Sequence, residues 1–141
     1  MFALAVVFFL ILGAVSAAPK QTGANPFTFP LVGAKIDASK LTNITWTPTT
    51  TSTITINLLK GDPANLVDLG AIVGLLDNNG WYQWNASRHL ESSETMPKGH
   101  KYGFKIMDDE TEGFEYSPAF DLLVPESLFK GGRTGGMSWK A

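Results

Sequence analysis

The stretch Thr53–Lys60, with the sequence TITINLLK, decides the fold class because its side chains alternate in character. Ile54, Ile56 and Leu58 fall on one side of an extended chain, and threonine and asparagine fall on the other. A period of two residues is typical of a β-strand that buries one face. This stretch therefore predicts the strongest strand of the chain, with its three aliphatic side chains in a core.

Further apolar runs lie on both sides of this strand at a spacing of roughly ten residues, and turn-forming residues separate them. Asn65–Leu76 also suits a short helix, but Gly70 and Gly74 argue against one. About seven strands in about 100 residues predict an all-β fold, an immunoglobulin-like or fibronectin type III-like antiparallel β-sandwich. The other six predicted strands are Pro26–Val32, Thr42–Thr47, Val67–Val73, Gly80–Asn85, Lys101–Met107 and Phe114–Val124, the last kinked at Ser117-Pro118.

Three segments predict the connections between strands. Lys60–Pro63 is a turn, and Asp77–Gly80 is a hairpin turn because asparagine and glycine tolerate positive φ. Asp108–Gly113 is an acidic hairpin loop. Tyr102 follows the corner Pro97–Gly99, so its hydroxyl either bonds to backbone upstream, as in the tyrosine corner of such sandwiches, or belongs to an ordinary core tyrosine.

Composition narrows the functional classes. The chain has 141 residues, 44% of them hydrophobic, which is enough for one domain with one core. The net charge of −2 gives no electrostatic case for binding nucleic acid or an acidic membrane surface. Because the chain has no cysteine, disulfides, thiol chemistry and cysteine zinc sites are excluded.

The first residues read as a secretory signal. Phe2–Val15 is unbroken apolar sequence, and Val15–Ala17 supplies the small residues that signal peptidase requires. An uncleaved anchor is the alternative, but the run is short of the roughly 20 residues that a membrane span needs. We therefore predict a signal peptide over 1–17, an N-terminal extension over 18–24, the β-sandwich domain over 25–125 and a glycine-rich tail over 126–141. The tail is either disordered or a contact for acidic polymers.

Two sequons stand on predicted strands. Asn43 and Asn85 begin the sequences Asn-Ile-Thr and Asn-Ala-Ser, and both asparagines fall on the polar face of their strand. In an exported protein both are candidate N-glycan acceptors; the alternative is chance occurrence.

The tryptophans divide into two kinds. Trp46 and Trp84 alternate with polar residues and are predicted to lie in the core. Trp81 instead shares its face with Gln83 and Asn85, which are expected to meet water. An exposed indole can lie flat on a sugar ring, so Trp81 and Gln83 are the candidate carbohydrate contacts. The alternatives for Trp81 are packing under a loop and a lone exposed apolar side chain.

Residues for metal or acid–base chemistry are few. His89 and His100 lack a third ligand at a metal-like spacing, so two solvated loop histidines are the favoured interpretation. The four acidic residues within Asp108–Glu112 lie in one loop, which we expect to be exposed; calcium binding is the alternative to simple solvation. The chain carries no serine-nucleophile or phosphate-binding motif. We therefore predict no metal, no cofactor and no catalysis.

Several short segments together resemble a known family. They are Asn25–Phe27, Ile44–Thr49, Leu58–Asp62, Asn65–Val67, Gly80–Trp84, Met96–Gly99 and Tyr116–Pro118. On these segments the chain is similar to the N-terminal domain of the fungal cell-wall synthesis family named for yeast killer-toxin resistance, the KRE/KNH-like domain. The resemblance implies a secreted or wall-attached protein with an immunoglobulin-like sandwich, linked to β-1,6-glucan assembly and extracellular matrix, and it supplies no catalytic motif.

One departure affects the expected location. Many members carry a Ser/Thr-rich stalk and a lipid-anchor signal after this domain, whereas this chain ends in a short glycine-rich segment. We therefore expect a freely secreted protein, or one held in the wall without a covalent lipid. The first functional hypothesis is a non-catalytic wall or matrix component that associates with β-glucan. The others are a secreted protein-interaction or adhesion module and, third, a polysaccharide-active enzyme.

Overall fold

The computed structural model describes residues 18–86 and 90–125. The predicted signal peptide, the predicted tail and His89 lie outside these ranges. Nine strands and one turn of 3-10 helix, Ser93–Thr95, occur in the described residues. The strands in chain order are β1 Phe27–Phe29, β2 Lys35–Asp37, β3 Thr42–Trp46, β4 Ile54–Asp62, β5 Asn65–Leu76, β6 Trp81–Trp84, β7 Lys101–Asp108, β8 Phe114–Tyr116 and β9 Asp121–Leu123.

The strands form two main antiparallel sheets and one small parallel pair. The first sheet has the order β1-β3-β6, and the second has the order β5-β4-β7-β8. Strands β2 and β9 pair in parallel. The predicted all-β sandwich is thus confirmed, with nine strands in place of about seven, because β2 was not predicted and the last predicted strand is two strands, β8 and β9.

The core lies between the two main sheets. Ile54, Ile56 and Leu58 of β4 are buried, as their alternation predicts. From the other sheet, Trp84 meets Phe104 of β7 edge to face, with ring centroids 5.1 Å apart. Burying each such side chain contributes about 1.5–3 kcal/mol. The buried members of this cluster are Ile36, Ala38, Ile44, Trp46, Ile54, Ile56, Leu58, Trp84, Ala86, Met96, Tyr102, Phe104, Ile106, Phe120, Leu122 and Val124.

The prediction of one kinked strand over Phe114–Val124 is wrong. Strand β8 pairs with β7, whereas β9 pairs with β2 in another sheet. The change happens at Ser117, whose hydroxyl accepts a bond from the backbone N–H of Phe104 at 2.9 Å. Pro118 has no N–H to continue the ladder, so the chain leaves the sheet at this point.

The prediction of a hairpin at Asp77–Gly80 is also wrong, although the turn itself is present. Strands β5 and β6 belong to different sheets, so this turn carries the chain across the sandwich. Gly80 has φ +90°, and a Cβ there would lie 3.0 Å from the carbonyl oxygen of Trp46. A side chain at this position would therefore be strained by its conformation and crowded by the Trp46 carbonyl.

Each of the other two predicted turns connects the two strands of a hairpin. Strands β4 and β5 pair up to Asp62 and Asn65 and leave a loop of only Pro63 and Ala64. Strands β7 and β8 pair across the Asp108–Gly113 loop. Asn65–Leu76 is a strand and not a helix, and it forms an edge of the four-stranded sheet.

The N-terminal extension pairs with the opposite edge of this sheet. Gln21 forms a parallel bridge with Phe114, and the N–H of Thr22 donates to the Phe114 carbonyl at 3.0 Å. Residues 20–22 thus cover the free side of β8. An uncovered edge presents unpaired backbone groups to other chains, so this contact protects the sheet.

The tyrosine corner is confirmed. The ring of Tyr102 is fully buried, and its hydroxyl donates to the backbone carbonyl of Glu91 at 2.8 Å. Burial disfavours the phenolate, and the nearby Glu91 charge adds to the effect, so the pKa of Tyr102 rises to about 12.

We expect Tyr102→Phe to lower the free energy of unfolding by about 1–2 kcal/mol, because the Glu91 carbonyl loses its donor. The raised pKa adds a pH signature. The favourable contribution of the neutral phenol is complete below the ordinary tyrosine pKa of 10.0 and is lost as pH rises toward about 12. Urea unfolding from neutral to alkaline pH checks both points. Equal alkaline losses in the two proteins would refute the assignment.

Candidate functional site: two outer faces of the sandwich

The predicted carbohydrate contacts lie on the outer face of the three-stranded sheet. Trp81 is 57% exposed, which excludes packing under a loop, and Gln83 is exposed beside it on β6. Across the sheet, Trp81 stands opposite Thr45 and Gln83 opposite Asn43. These residues therefore form one continuous surface, while Trp84 points into the core as predicted.

The outer surface around Trp81 continues across Thr45 of β3 to Thr28 of β1. The hydroxyls of Thr45 and Thr28 are hydrogen-bonded at 2.6 Å, so hydroxyl groups extend the surface away from the indole. We call this surface the Trp81 face and define it as Trp81, Gln83, Asn43, Thr45 and Thr28. It offers one aromatic plane together with neutral donors and acceptors, a combination that can stack on a sugar ring and bond to its hydroxyls.

Both sequon asparagines are exposed. Asn85 follows β6, and Ser87 of its sequon lies outside the described residues. Asn43 belongs to the Trp81 face and pairs directly with Gln83, so the two Cβ atoms are about 5 Å apart. A glycan on Asn43 would cover Gln83 and crowd Trp81. The predicted carbohydrate contact and the predicted glycosylation at Asn43 therefore compete for the same surface.

The acidic loop differs from its prediction as an exposed cluster. Asp108 is buried and accepts two bonds from Thr111, one from the backbone N–H and one from the hydroxyl, both at 2.8 Å. Burial opposes its ionisation, but these bonds outweigh burial and hold the pKa of Asp108 below its usual value. Asp109 accepts bonds from the hydroxyls of Thr53 and Thr55, both at 2.7 Å. Only Glu110 and Glu112 face solvent freely.

Within residues 18–86 and 90–125, no group of three or more histidine, aspartate or glutamate side chains is arranged to hold an ion. His100 is described and half-buried, whereas its predicted counterpart His89 is not among these residues.

The outer face of the other sheet holds a cleft that sequence reasoning missed. Its volume is about 430 Å³, and it lies between the β4–β5 hairpin and β8. We call it the hairpin cleft. The residues that line it are Leu59, Pro63, Ala64, Asn65, Leu66, Asp68, Lys105, Tyr116, Ser117 and Ala119.

One signal for this cleft is present in the sequence. Leu59 falls on the threonine and asparagine side of TITINLLK and breaks its alternation. In the structure it is only 3% exposed, although it belongs to the outer side of the sheet. A buried leucine on a polar face indicates that another segment covers that face, and here Leu66 from the hairpin does so.

Comparisons with known proteins give one match. A family model described as the Kre9/KNH-like N-terminal Ig-like domain matches residues 29–122. No curated protein and no solved structure matches the chain. Among the described residues, no helix has the length and apolar character that crossing a membrane requires.

Proposed function

The chain belongs to the Kre9/KNH-like family of N-terminal Ig-like domains, and from this premise we propose that it is a secreted, non-catalytic wall component that binds and organises β-1,6-glucan. The family is linked to fungal cell-wall β-glucan synthesis. The proposal includes removal of residues 1–17 on export and an N-glycan on Asn85, whereas Asn43 stays unglycosylated because a glycan there would cover the Trp81 face. The mass of the exported protein reports cleavage and glycosylation together, so it is the first measurement to make.

The observation that carries the proposal is the chemistry of the Trp81 face. Its members are an indole, two amides and two hydroxyls, all of them neutral. A neutral glucan offers apolar C–H faces and hydroxyls, which match an aromatic plane and neutral polar groups. Glycoside hydrolysis needs two carboxyl groups flanking the bond, and none of the five residues of this face is acidic. Binding without cleavage is the chemistry that this face supports.

We expect Trp81→Ala to weaken binding to insoluble β-1,6-glucan about 3–10-fold, because the stacking plane is lost. Since Trp81 is exposed, Trp81→Ala should change the melting temperature of the domain no more than other surface substitutions do. Depletion of the protein from solution by increasing amounts of polymer, with chitin in parallel, measures the affinity.

Val67→Ala is the matched control, because Val67 is 61% exposed on the other sheet and lies outside both surfaces. It should bind like the wild type. Equal binding by Trp81→Ala and Val67→Ala would reject the Trp81 contact. Failure of both polymers to retain the wild type would reject the glucan-binding role itself.

A second candidate is a secreted protein-interaction module, and strand β5 favours it. Among the residues that the structure describes, this edge strand pairs only with β4, and it exposes Leu69 and Leu75, at 50% and 77%. An apolar edge strand can accept a strand from another protein. Retention by a protein partner without retention by either polymer would select this candidate.

A further inference from the structure

The floor of the hairpin cleft exists because one residue of β7 has no side chain. Gly103 stands opposite Leu59, and a Cβ on Gly103 would lie 3.0 Å from the Cδ1 of Leu66. Leu66 therefore lies over Gly103, beside Leu59, which is buried. The two-residue loop of the hairpin brings Asn65 to the rim. The result is a firm apolar floor with a polar edge.

The wall opposite the hairpin is aromatic. Tyr116 is 44% exposed and stands opposite Lys105 in the β7–β8 register. Its ring packs edge to face on Phe114, with centroids 5.3 Å apart, which fixes its position. The Nζ of Lys105 lies 4.4 Å from the centroid of the Phe114 ring, so a cation–π contact holds the ammonium group. Within the described residues, no hydrogen bond occupies the N–H donors of this ammonium group.

The charges of the cleft cancel. Lys105 and Asp68 are its one cation and one anion, and within the described residues neither forms an ion pair. Asp68 accepts one bond on each oxygen, from the Asn57 amide at 2.9 Å and from the Gly70 N–H at 2.7 Å. Each carboxylate oxygen keeps a further lone pair. The cleft thus offers acceptors and donors side by side with no net charge.

This combination suits a saccharide better than an ionic ligand. Sugar hydroxyls both donate and accept, so they can bond to Asp68 and to Lys105 at once. The exposed face of Tyr116 can take the C–H face of a pyranose ring. The volume of about 430 Å³ lies within the range of roughly 300–1,000 Å³ typical of small-ligand sites.

We propose that the hairpin cleft is a second saccharide site and that the domain joins two glucan chains, one on each outer face. The inward side chains of both main sheets share one core, so their outward side chains face opposite directions. The Trp81 face and the hairpin cleft therefore lie on opposite sides of the sandwich. The joining of chains rests on the proposed function, whereas the cleft itself rests on its own residues.

The test begins with the wild-type protein and a soluble β-1,6-linked glucose tetrasaccharide. Amide chemical shifts of Asn65, Lys105 and Tyr116 should move on titration, in a set separate from those around Trp81. Tyr116→Ala should weaken the tetrasaccharide affinity measured from the first set of shifts about 3–10-fold. Tyr116→Phe, which keeps the ring, should bind like the wild type. Leu69→Ala is the matched control, because Leu69 is exposed on β5 outside the cleft.

A bridging assay tests the two-sided arrangement. Beads of insoluble β-1,6-glucan should retain a fluorescent soluble β-1,6-glucan only when wild-type protein is present. Trp81→Ala and Tyr116→Ala should each reduce bridging more than they reduce binding to the beads. Shifts confined to the Trp81 region, with bridging unchanged in Tyr116→Ala, would overturn the cleft and leave the proposed function intact. Shifts confined to the cleft would overturn the Trp81 site instead, and no shifts at all would overturn both.

Discussion

Asn25→Ala should lower the free energy of unfolding by about 3–5 kcal/mol, a large fraction of the stability of a small domain. The Asn25 side chain is buried at 1% exposure and bonds to three other residues. Its amide donates to the Thr50 hydroxyl at 3.0 Å, and its carbonyl accepts from the Thr49 N–H at 2.8 Å and the Asn78 amide at 2.9 Å. Each lost bond costs about 1 kcal/mol, and the unpaired partners add to that.

The cost is high because this network joins three segments that lie outside the strands. Asn25 precedes β1, Thr49 and Thr50 follow β3, and Asn78 lies in the turn between the sheets. Asn78 in turn accepts a bond of 2.6 Å from the indole N–H of Trp46. Loss of the Asn25 side chain therefore weakens the contacts at one end of the sandwich. It also weakens the position of Asn78, which holds the indole of Trp46.

A glycine control separates the two causes of the expected loss. Asn25 has φ +55°, a conformation that strains alanine by roughly 1–2 kcal/mol and that glycine adopts freely. Asn25→Gly should therefore be less destabilised than Asn25→Ala while losing the same hydrogen bonds. Urea unfolding with similar m-values gives both differences. A loss below about 1 kcal/mol in both variants would contradict the role of the network.

The alternation of side chains predicts which face of a strand is buried, and it succeeds for Ile54, Trp84 and Phe104. It does not predict which sheet a strand joins. The same positive φ at Gly80 serves a hairpin or a crossing between sheets, so the sequence of that turn could not distinguish them. Strand β2 has only three residues and pairs in parallel with a strand far along the chain, which leaves almost no local pattern.

The two outer faces differ in how far the sequence reveals them. The Trp81 face follows from the alternation within one strand and from the pairing of that strand with β3. The hairpin cleft needs Leu66 to fold back over Gly103, a contact between segments that no local period contains. Asp108 was misplaced for a related reason. Charge alone predicts that Asp108 is exposed, whereas two bonds from Thr111 offset the free-energy cost of burying its carboxylate.

Three segments that carry the resemblance to the family surround the hairpin cleft. Leu58–Asp62 supplies Leu59 of the floor. Asn65–Val67 supplies Asn65 and Leu66, and Tyr116–Pro118 supplies Tyr116 and Ser117. The same segments also have structural tasks, since they contain the tight β4–β5 loop and the serine at which the chain leaves its sheet. A test of the cleft therefore needs variants that preserve these structural contacts and change only the contacts with a ligand. The comparison of Tyr116→Phe with Tyr116→Ala meets this need.

A loss of stability of similar size should follow Phe104→Ala, which we expect to cost about 3–5 kcal/mol. Phe104 is fully buried, and its ring centroid lies 4.8 Å from that of Phe120 and 5.1 Å from that of Trp84. These contacts hold one main sheet against the other, so truncation removes apolar burial and leaves a cavity at their centre. The cavity adds its own cost, because surrounding aromatic rings relax only in part.

Phe104→Leu and Leu69→Ala complete the comparison. Leucine fills most of the cavity, so Phe104→Leu should lose clearly less than Phe104→Ala. Leu69 is half exposed on the edge strand, and its truncation should change stability by about 0.5 kcal/mol or less. Thermal and urea unfolding of the three variants give the order. If Phe104→Ala were no worse than Leu69→Ala, the aromatic cluster would not hold the sheets together. The opposed orientation of the two outer faces would then lose its physical basis.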